Sequence, residues 1–189
     1  LTLDENGIPE TSEGRLRIAE KILSKAAEYG IDRKDIIFDT LTMTVATNPE
    51  AGNITVSALK KIREELNCHT SLGVSNISFG MPNRDEINAE FYLNALNSGL
   101  SAAIMNPYSY QMMKTYYSFR ALKGFNGGEE DYKNFLDTNE ETVNNVAVEE
   151  RTDFASGLQK AIIKGLKEEA SSITSKMLDT TDGMEIVEK

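Results

Sequence analysis

Short apolar runs, each ended by a polar residue, alternate along this chain with longer stretches of helical period. That alternation confines the fold to parallel strands covered by helices. The runs are 36–38, ended by Asp39; 70–74, ended by Ser75; and 102–105, ended by Asn106 and Pro107. Between them the apolar positions recur every three or four residues. Leu16, Ile18, Ala19, Ile22, Leu23, Ala26 and Ala27 predict a helix capped at Thr11 or Ser12 and stopped at Gly30. Val56, Leu59, Ile62 and Leu66 predict a second helix over 54–67, a third spans 87–98 before Gly99, and a fourth spans 108–123 before Gly124. Residues 1–3 read as the end of a preceding strand, and the chain opens on Leu1 rather than methionine. It is therefore expected to be a fragment holding four strands of an eight-stranded α/β barrel.

Beyond Gly124 the pattern changes. Asn126, Gly127 and Gly128 open a segment with nine acidic and two basic residues between Glu129 and Asp153. Such a charge run with few large apolar residues predicts a linker over 125–153, with Tyr132, Phe135 and Leu136 as a helical turn packed back on the barrel. From 154 onward Leu158, Ala161, Ile162 and Leu166, then Ile173, Met177 and Leu178, predict helices, with a last one starting near Asp182. The Ile162 and Leu166 stripe expects other helices against it.

Charge and residue inventory exclude several classes of function. A net charge of -10 repels polyanions, so neither general nucleic-acid binding nor binding to an anionic membrane surface is expected. No stretch reaches the roughly 18 apolar residues that a spanning helix needs, and residues 1–10 lack the basic-then-apolar order of a signal peptide. The expectation is a cytoplasmic protein. One cysteine, Cys68, and one histidine, His69, provide no internal disulfide and no zinc cluster. Being adjacent on a strand, they point to opposite faces and do not make a nucleophile and its base. Met112, Met113, Tyr116, Tyr117 and Phe119 recur at helical spacing and are read as core packing of the closing helix.

In a barrel of this kind the carboxyl ends of the strands form the working face. Three of them here deliver polar residues: Asp39, the segment from Ser75 to Arg84, and Asn106. Capping of the following helix is the alternative reading for Ser75 and Asn106.

The densest stretch runs Leu72-Gly73-Val74-Ser75-Asn76-Ile77-Ser78-Phe79-Gly80-Met81-Pro82-Asn83-Arg84, with Asn88 after it. With Phe38-Asp39 upstream and Ala102-Ala103-Ile104-Met105-Asn106-Pro107 downstream, it resembles the methyltetrahydrofolate-binding domain of cobalamin-dependent methionine synthase and related corrinoid methyltransferases. The likeness covers about 1–124, and Asp4-Glu5-Asn6-Gly7-Ile8-Pro9 is similar to the family's loop after the fifth strand. Separately, LQKAIIKGLKEEA at 158–170 is similar to the first helix of the cap that precedes the cobalamin-binding domain in such proteins.

The resemblance implies the C-terminal half of a (β/α)8 TIM barrel of the dihydropteroate synthase-like kind over 1–124, an acidic linker over 125–153 and the start of an all-α cobalamin cap over 154–189. It implies 5-methyltetrahydrofolate as substrate and cobalamin, held mostly by a module outside this chain, as cofactor. Asn76 matches the asparagine that hydrogen-bonds N5 of the folate, and Asp39 the carboxylate that grips the pterin. Ser75, Arg84, Asn88 and Asn106 would complete substrate binding, and no residue is assigned to a metal. Homocysteine would be the final methyl acceptor. The partner would be a cobalamin-binding domain or corrinoid protein, with a homodimer as a further expectation. Because the family also draws on the first strands, the chain alone is expected to be inactive. Two other readings are a methyltetrahydrofolate:corrinoid protein methyltransferase of one-carbon metabolism and a non-catalytic folate-binding or corrinoid-protein-binding module. Dihydropteroate synthase ranks lower, since it expects a lysine shortly after the serine and 75–84 has none.

Overall fold

The computed structural model describes residues 1–146, 154–163, 167–178 and 183. They belong to two compact units, Leu1–Thr138 and Asn139–Lys189.

The first unit is built on three parallel strands, β1 (Ile37–Asp39), β2 (His69–Gly73) and β3 (Ala102–Ile104), side by side in that order. Their register sets Asp39 opposite Ser71 and Gly73 opposite Ile104. Helix α1 (Ser12–Glu28) precedes β1, α2 (Ala51–Glu65) crosses from β1 to β2, α3 (Arg84–Asn97) from β2 to β3, and α4 (Tyr110–Leu122) follows β3. The helix ends follow local chemistry. The Thr11 hydroxyl accepts the Gly14 N–H at the start of α1, and the Ser109 hydroxyl accepts the Met112 N–H at the start of α4. Gly30 takes the left-handed φ of +71° that ends α1.

The pleat sorts the strand residues onto two faces. Phe38, Thr70 and Leu72 turn toward the helices and are buried. Phe38 packs with Ala19, Ile62 and Cys68, while Leu72 packs with Leu59, Phe91, Ala95 and Met112. On the other face Ile37 is 59% and Ile104 68% exposed, beside Asp39, His69 and Ser71. The sheet is thus covered on one side, and its polar strand ends stand at the rim of the other.

Three details depart from the sequence reading. Residues 1–3 form no strand. The Thr2 N–H donates to the Asp39 carbonyl at 3.0 Å, which holds this segment beside β1 without a ladder. Helix α3 begins at Arg84, three residues earlier than its apolar spacing suggests, because Asn83 takes a left-handed φ of +48° and reverses the chain there. The acidic stretch expected as a linker is helical over Gly128–Val146 (α5). Glu129, Glu130 and Asp131 crowd its first turn, where negative charge complements the helix dipole. Asp131 pairs with Arg120 of α4, and Phe135 stacks on Tyr110 and Tyr117 at centroid distances of 5.4 and 4.9 Å. The acidic residues therefore serve a helix that packs on α4, and the first unit runs on past Gly124.

In the second unit α6 (Phe154–Ile163) and α7 (Lys167–Leu178) pack through Leu158 and Met177, with Ala170 and Ile173 beside them. Ile162 remains exposed. Leu166, residues 147–153 and, apart from Gly183, the helix expected near Asp182 lie outside the described residues.

Candidate functional site at the strand ends

Because β1, β2 and β3 are parallel, Asp39, Ser75 with Asn76, and Asn106 all follow the same edge of the sheet. Two loops join there. The Val45 N–H donates to the Ile77 carbonyl at 2.9 Å, and the Thr44 hydroxyl donates to the Phe79 carbonyl at 2.5 Å. The loop after Asp39 and the loop holding Asn76 are therefore stitched into one floor.

Asp39 is half-buried on the exposed face of the sheet, and its Oδ1 accepts the Leu41 N–H at 2.8 Å. Each oxygen of a carboxylate has two acceptor sites, so this bond leaves the group able to take a pair of ligand donors. Asn76 lies in a 3-10 turn, Val74–Ser78, directly after β2. Its side chain folds back over Gly73, where a Cβ would meet Nδ2 at 3.1 Å. Gly73 is opposite Ile104 and shares the face of Asp39, so the amide and the carboxylate stand on the same face at the same rim.

The other residues singled out from the sequence sit around this pair in different roles. Ser78 is fully buried, and its hydroxyl donates to Asn88 Oδ1 at 2.7 Å while accepting from Arg84 Nε at 3.0 Å. Arg84 also donates to the Ser75 carbonyl at 2.9 Å, and its guanidinium lies 4.6 Å from the centre of the Phe79 ring. Arg84, Asn88 and Ser75 are thereby engaged by the Asn76 turn itself. Asn106 is exposed, and its Oδ1 accepts the Tyr108 N–H at 3.0 Å, an Asx turn ahead of α4, whose cap is Ser109. Ser78 was not singled out from the sequence, although it lies inside the densest stretch. Its substitution by alanine removes the shared partner of Arg84 and Asn88, an expected cost of about 1–3 kcal/mol measured by urea unfolding.

Arg15 was also missed. It is 3% exposed, and its guanidinium donates to carbonyls of the loop that follows Asp39. Burial pushes its pKa below the ordinary arginine value. Thr42, in that same loop, is buried with a hydroxyl that has no hydrogen-bond partner.

The cysteine and histidine stand apart from this site. Cys68 is buried just before β2, donates to the Leu66 carbonyl and has its thiol pKa pushed up by burial. His69 is exposed at the opposite end of β2 from Asn76, with Nδ1 3.4 Å from the Ser101 hydroxyl. Among the described residues no cluster of His, Cys, Asp or Glu is suited to a metal ion, and no helix is long and apolar enough to cross a membrane.

Residues 6–106, which hold this whole rim from Asp39 to Asn106, match the family model described as pterin binding enzyme. The chain belongs to that family. Among particular proteins, it is 34% identical over 114 residues to the methionine synthase of Mycobacterium tuberculosis, covering 56% of this chain and 10% of that protein. The methionine synthase of Mycobacterium leprae matches to the same extent. The methylcorrinoid:tetrahydrofolate methyltransferase of Eubacterium limosum is 30% identical over 125 residues, covering 66% of this chain and 46% of that protein. The chain therefore spans about a tenth of the length of these methionine synthases and under half of the methyltransferase.

Proposed function

We propose that this chain is the C-terminal half of a pterin-binding (β/α)8 barrel that holds 5-methyltetrahydrofolate for methyl transfer to cobalamin, followed by the start of a helical cap for the corrinoid. The observation that carries the reading is the pairing of Asp39 and Asn76 on one face at one rim of the sheet. The exposed face of the sheet, with Ile37 and Ile104 uncovered, is in this reading the barrel interior. The relatives, a methionine synthase and a methylcorrinoid:tetrahydrofolate methyltransferase, support the substrate class.

The chemistry follows from the two side chains. The amino-pyrimidinone edge of a pterin presents adjacent N–H donors, which Asp39 accepts in a bidentate manner, fixing the plane and orientation of the ring. The methyl carbon to be transferred is bound to N5, a tertiary amine that is a poor leaving group unless protonated. N5 takes a proton from solvent, and as the C–N bond breaks its electron pair stays on N5, which leaves as the neutral secondary amine. The oxygen of Asn76 accepts from a protonated N5 and its nitrogen donates to a neutral one. It thus favours the protonated N5 from which the methyl group can leave, which raises the chemical rate more than the binding of the unprotonated folate. Cobalamin, when bound, supplies the nucleophilic cobalt(I), and the described residues of this chain orient the folate toward it.

Homocysteine as final acceptor, as in the methionine synthases, is the finer reading, favoured by helical segments after the barrel unit where a freestanding folate methyltransferase would end. The second reading is a methyltetrahydrofolate:corrinoid protein methyltransferase, favoured by the larger share of the chain that the Eubacterium limosum relative covers. Isothermal titration of the protein at its full natural length with 5-methyltetrahydrofolate tests the shared claim, with saturable one-site binding expected. No binding ends the reading. Methyl transfer to homocysteine, compared with transfer to a corrinoid protein alone, separates the two readings.

A further inference from the structure

Arg15 is a buried cation whose partners are almost all carbonyls. None of the ion pairs among the described residues includes it. A guanidinium taken out of water without an acid beside it must recover its hydration through hydrogen bonds, or it destabilises the fold. Arg15 Nε donates to the Pro9 carbonyl at 3.1 Å. One terminal nitrogen donates to the carbonyls of Thr40 at 2.7 Å and Leu41 at 2.9 Å, and to the Thr55 hydroxyl at 3.1 Å. Gly14 permits the approach to Pro9, since a Cβ there would stand 2.6 Å from the Pro9 ring.

The residues that Arg15 holds are the two that follow Asp39. Leu41 has a φ of +63°, a left-handed conformation that a branched L residue adopts only where its surroundings over-determine it. Here both sides of Leu41 are pinned. Its N–H is given to Asp39 Oδ1 at 2.8 Å, and its carbonyl accepts from Arg15 at 2.9 Å, beside the Thr55 hydroxyl, which accepts from the same Arg15 nitrogen and gives its own proton to the Ala51 carbonyl at 2.8 Å. The bond that orients the carboxylate thus exists only while Leu41 remains in its strained conformation, and Arg15 is the charged donor that keeps it there.

We propose that Arg15 is a positioning residue for Asp39, acting through the strained Leu41 turn to aim the carboxylate at the ring it binds. This rests on the folate reading above. A merely structural arginine would tie α1 to the sheet and lower stability on removal, with no bearing on how the folded protein holds its ligand.

A double-mutant cycle at full natural length separates these roles, with 5-methyltetrahydrofolate as the titrated probe. Arg15→Lys keeps the charge but cannot serve the Thr40 and Leu41 carbonyls with the same planar fork. It is expected to raise the Kd about tenfold beside Asp39 and by less than about twofold in an Asp39→Asn background, the signature of coupled residues. Equal losses in both backgrounds, or an unchanged Kd beside Asp39, overturn the proposal. If Arg15→Lys does not fold, Thr55→Val decides. It removes the hydroxyl that accepts from Arg15 and holds the guanidinium beside Leu41, and is expected to weaken binding about threefold beside Asp39 and not beside Asn at that position; no weakening overturns the proposal. Absence of binding by the unaltered protein is a different result, since it removes the folate reading and this inference with it.

Discussion

Asn76→Ala is expected to lower the rate of methyl transfer from 5-methyltetrahydrofolate about a hundredfold, with a much smaller change in folate Kd, because in the proposed role the amide favours the protonated N5 required for C–N cleavage over the unprotonated folate first bound. The position of the side chain motivates the size of the effect. Asn76 follows β2 in a short turn, lies back across Gly73 and shares the rim with Asp39. Asp39→Ala is expected to show the opposite balance, raising the Kd most, since in the proposed role the carboxylate holds the ring equally before and during transfer. Single-turnover transfer to cob(I)alamin, beside titration of each variant, separates the two effects. Undiminished binding and transfer after both substitutions together would remove the site.

Phe38→Ala is expected to cost about 3–5 kcal/mol of stability, the usual range for emptying a buried aromatic site. Phe38 is 1% exposed and closes the cluster of Ala19, Ile62 and Cys68 between α1, α2 and the sheet. The helices on either side are held by their own backbone hydrogen bonds, so they do not collapse fully into the space, and the cavity persists. The substitution also loosens the strand that carries Asp39, so the folate Kd should rise alongside the loss of stability. Urea unfolding of both proteins gives the difference directly. A loss below about 1 kcal/mol would show that Phe38 is not part of a closed core.

The helices of the first unit were legible because each buries one stripe, and a stripe leaves a period in the sequence. Leu59 and Ile62 on α2 and Ala19 on α1 lie where that period places them. The strands were legible as short apolar runs with polar ends, and Asp39, Asn76 and Asn106 all follow one edge of the sheet. Net charge, weighed without position, did not show that the stretch read as a linker is helical over Gly128–Val146. Three acidic residues in a first turn favour a helix, and Phe135 then anchors that helix on Tyr110 and Tyr117 of α4.

Arg15 did carry a signal. It stands three and four residues before the buried Ile18 and Ala19, so the helical wheel places it on the buried face of α1. The alternation of apolar runs and amphipathic stretches determined by itself that strands and helices alternate and that their polar ends gather at one edge, since both follow from local period. Only the tertiary structure decided that Arg84 and Asn88 close on Ser78 and that Arg15 reaches carbonyls 25 and 26 positions away. Those choices depend on strand register and helix placement, which set which donors and acceptors meet, and no local pattern records them.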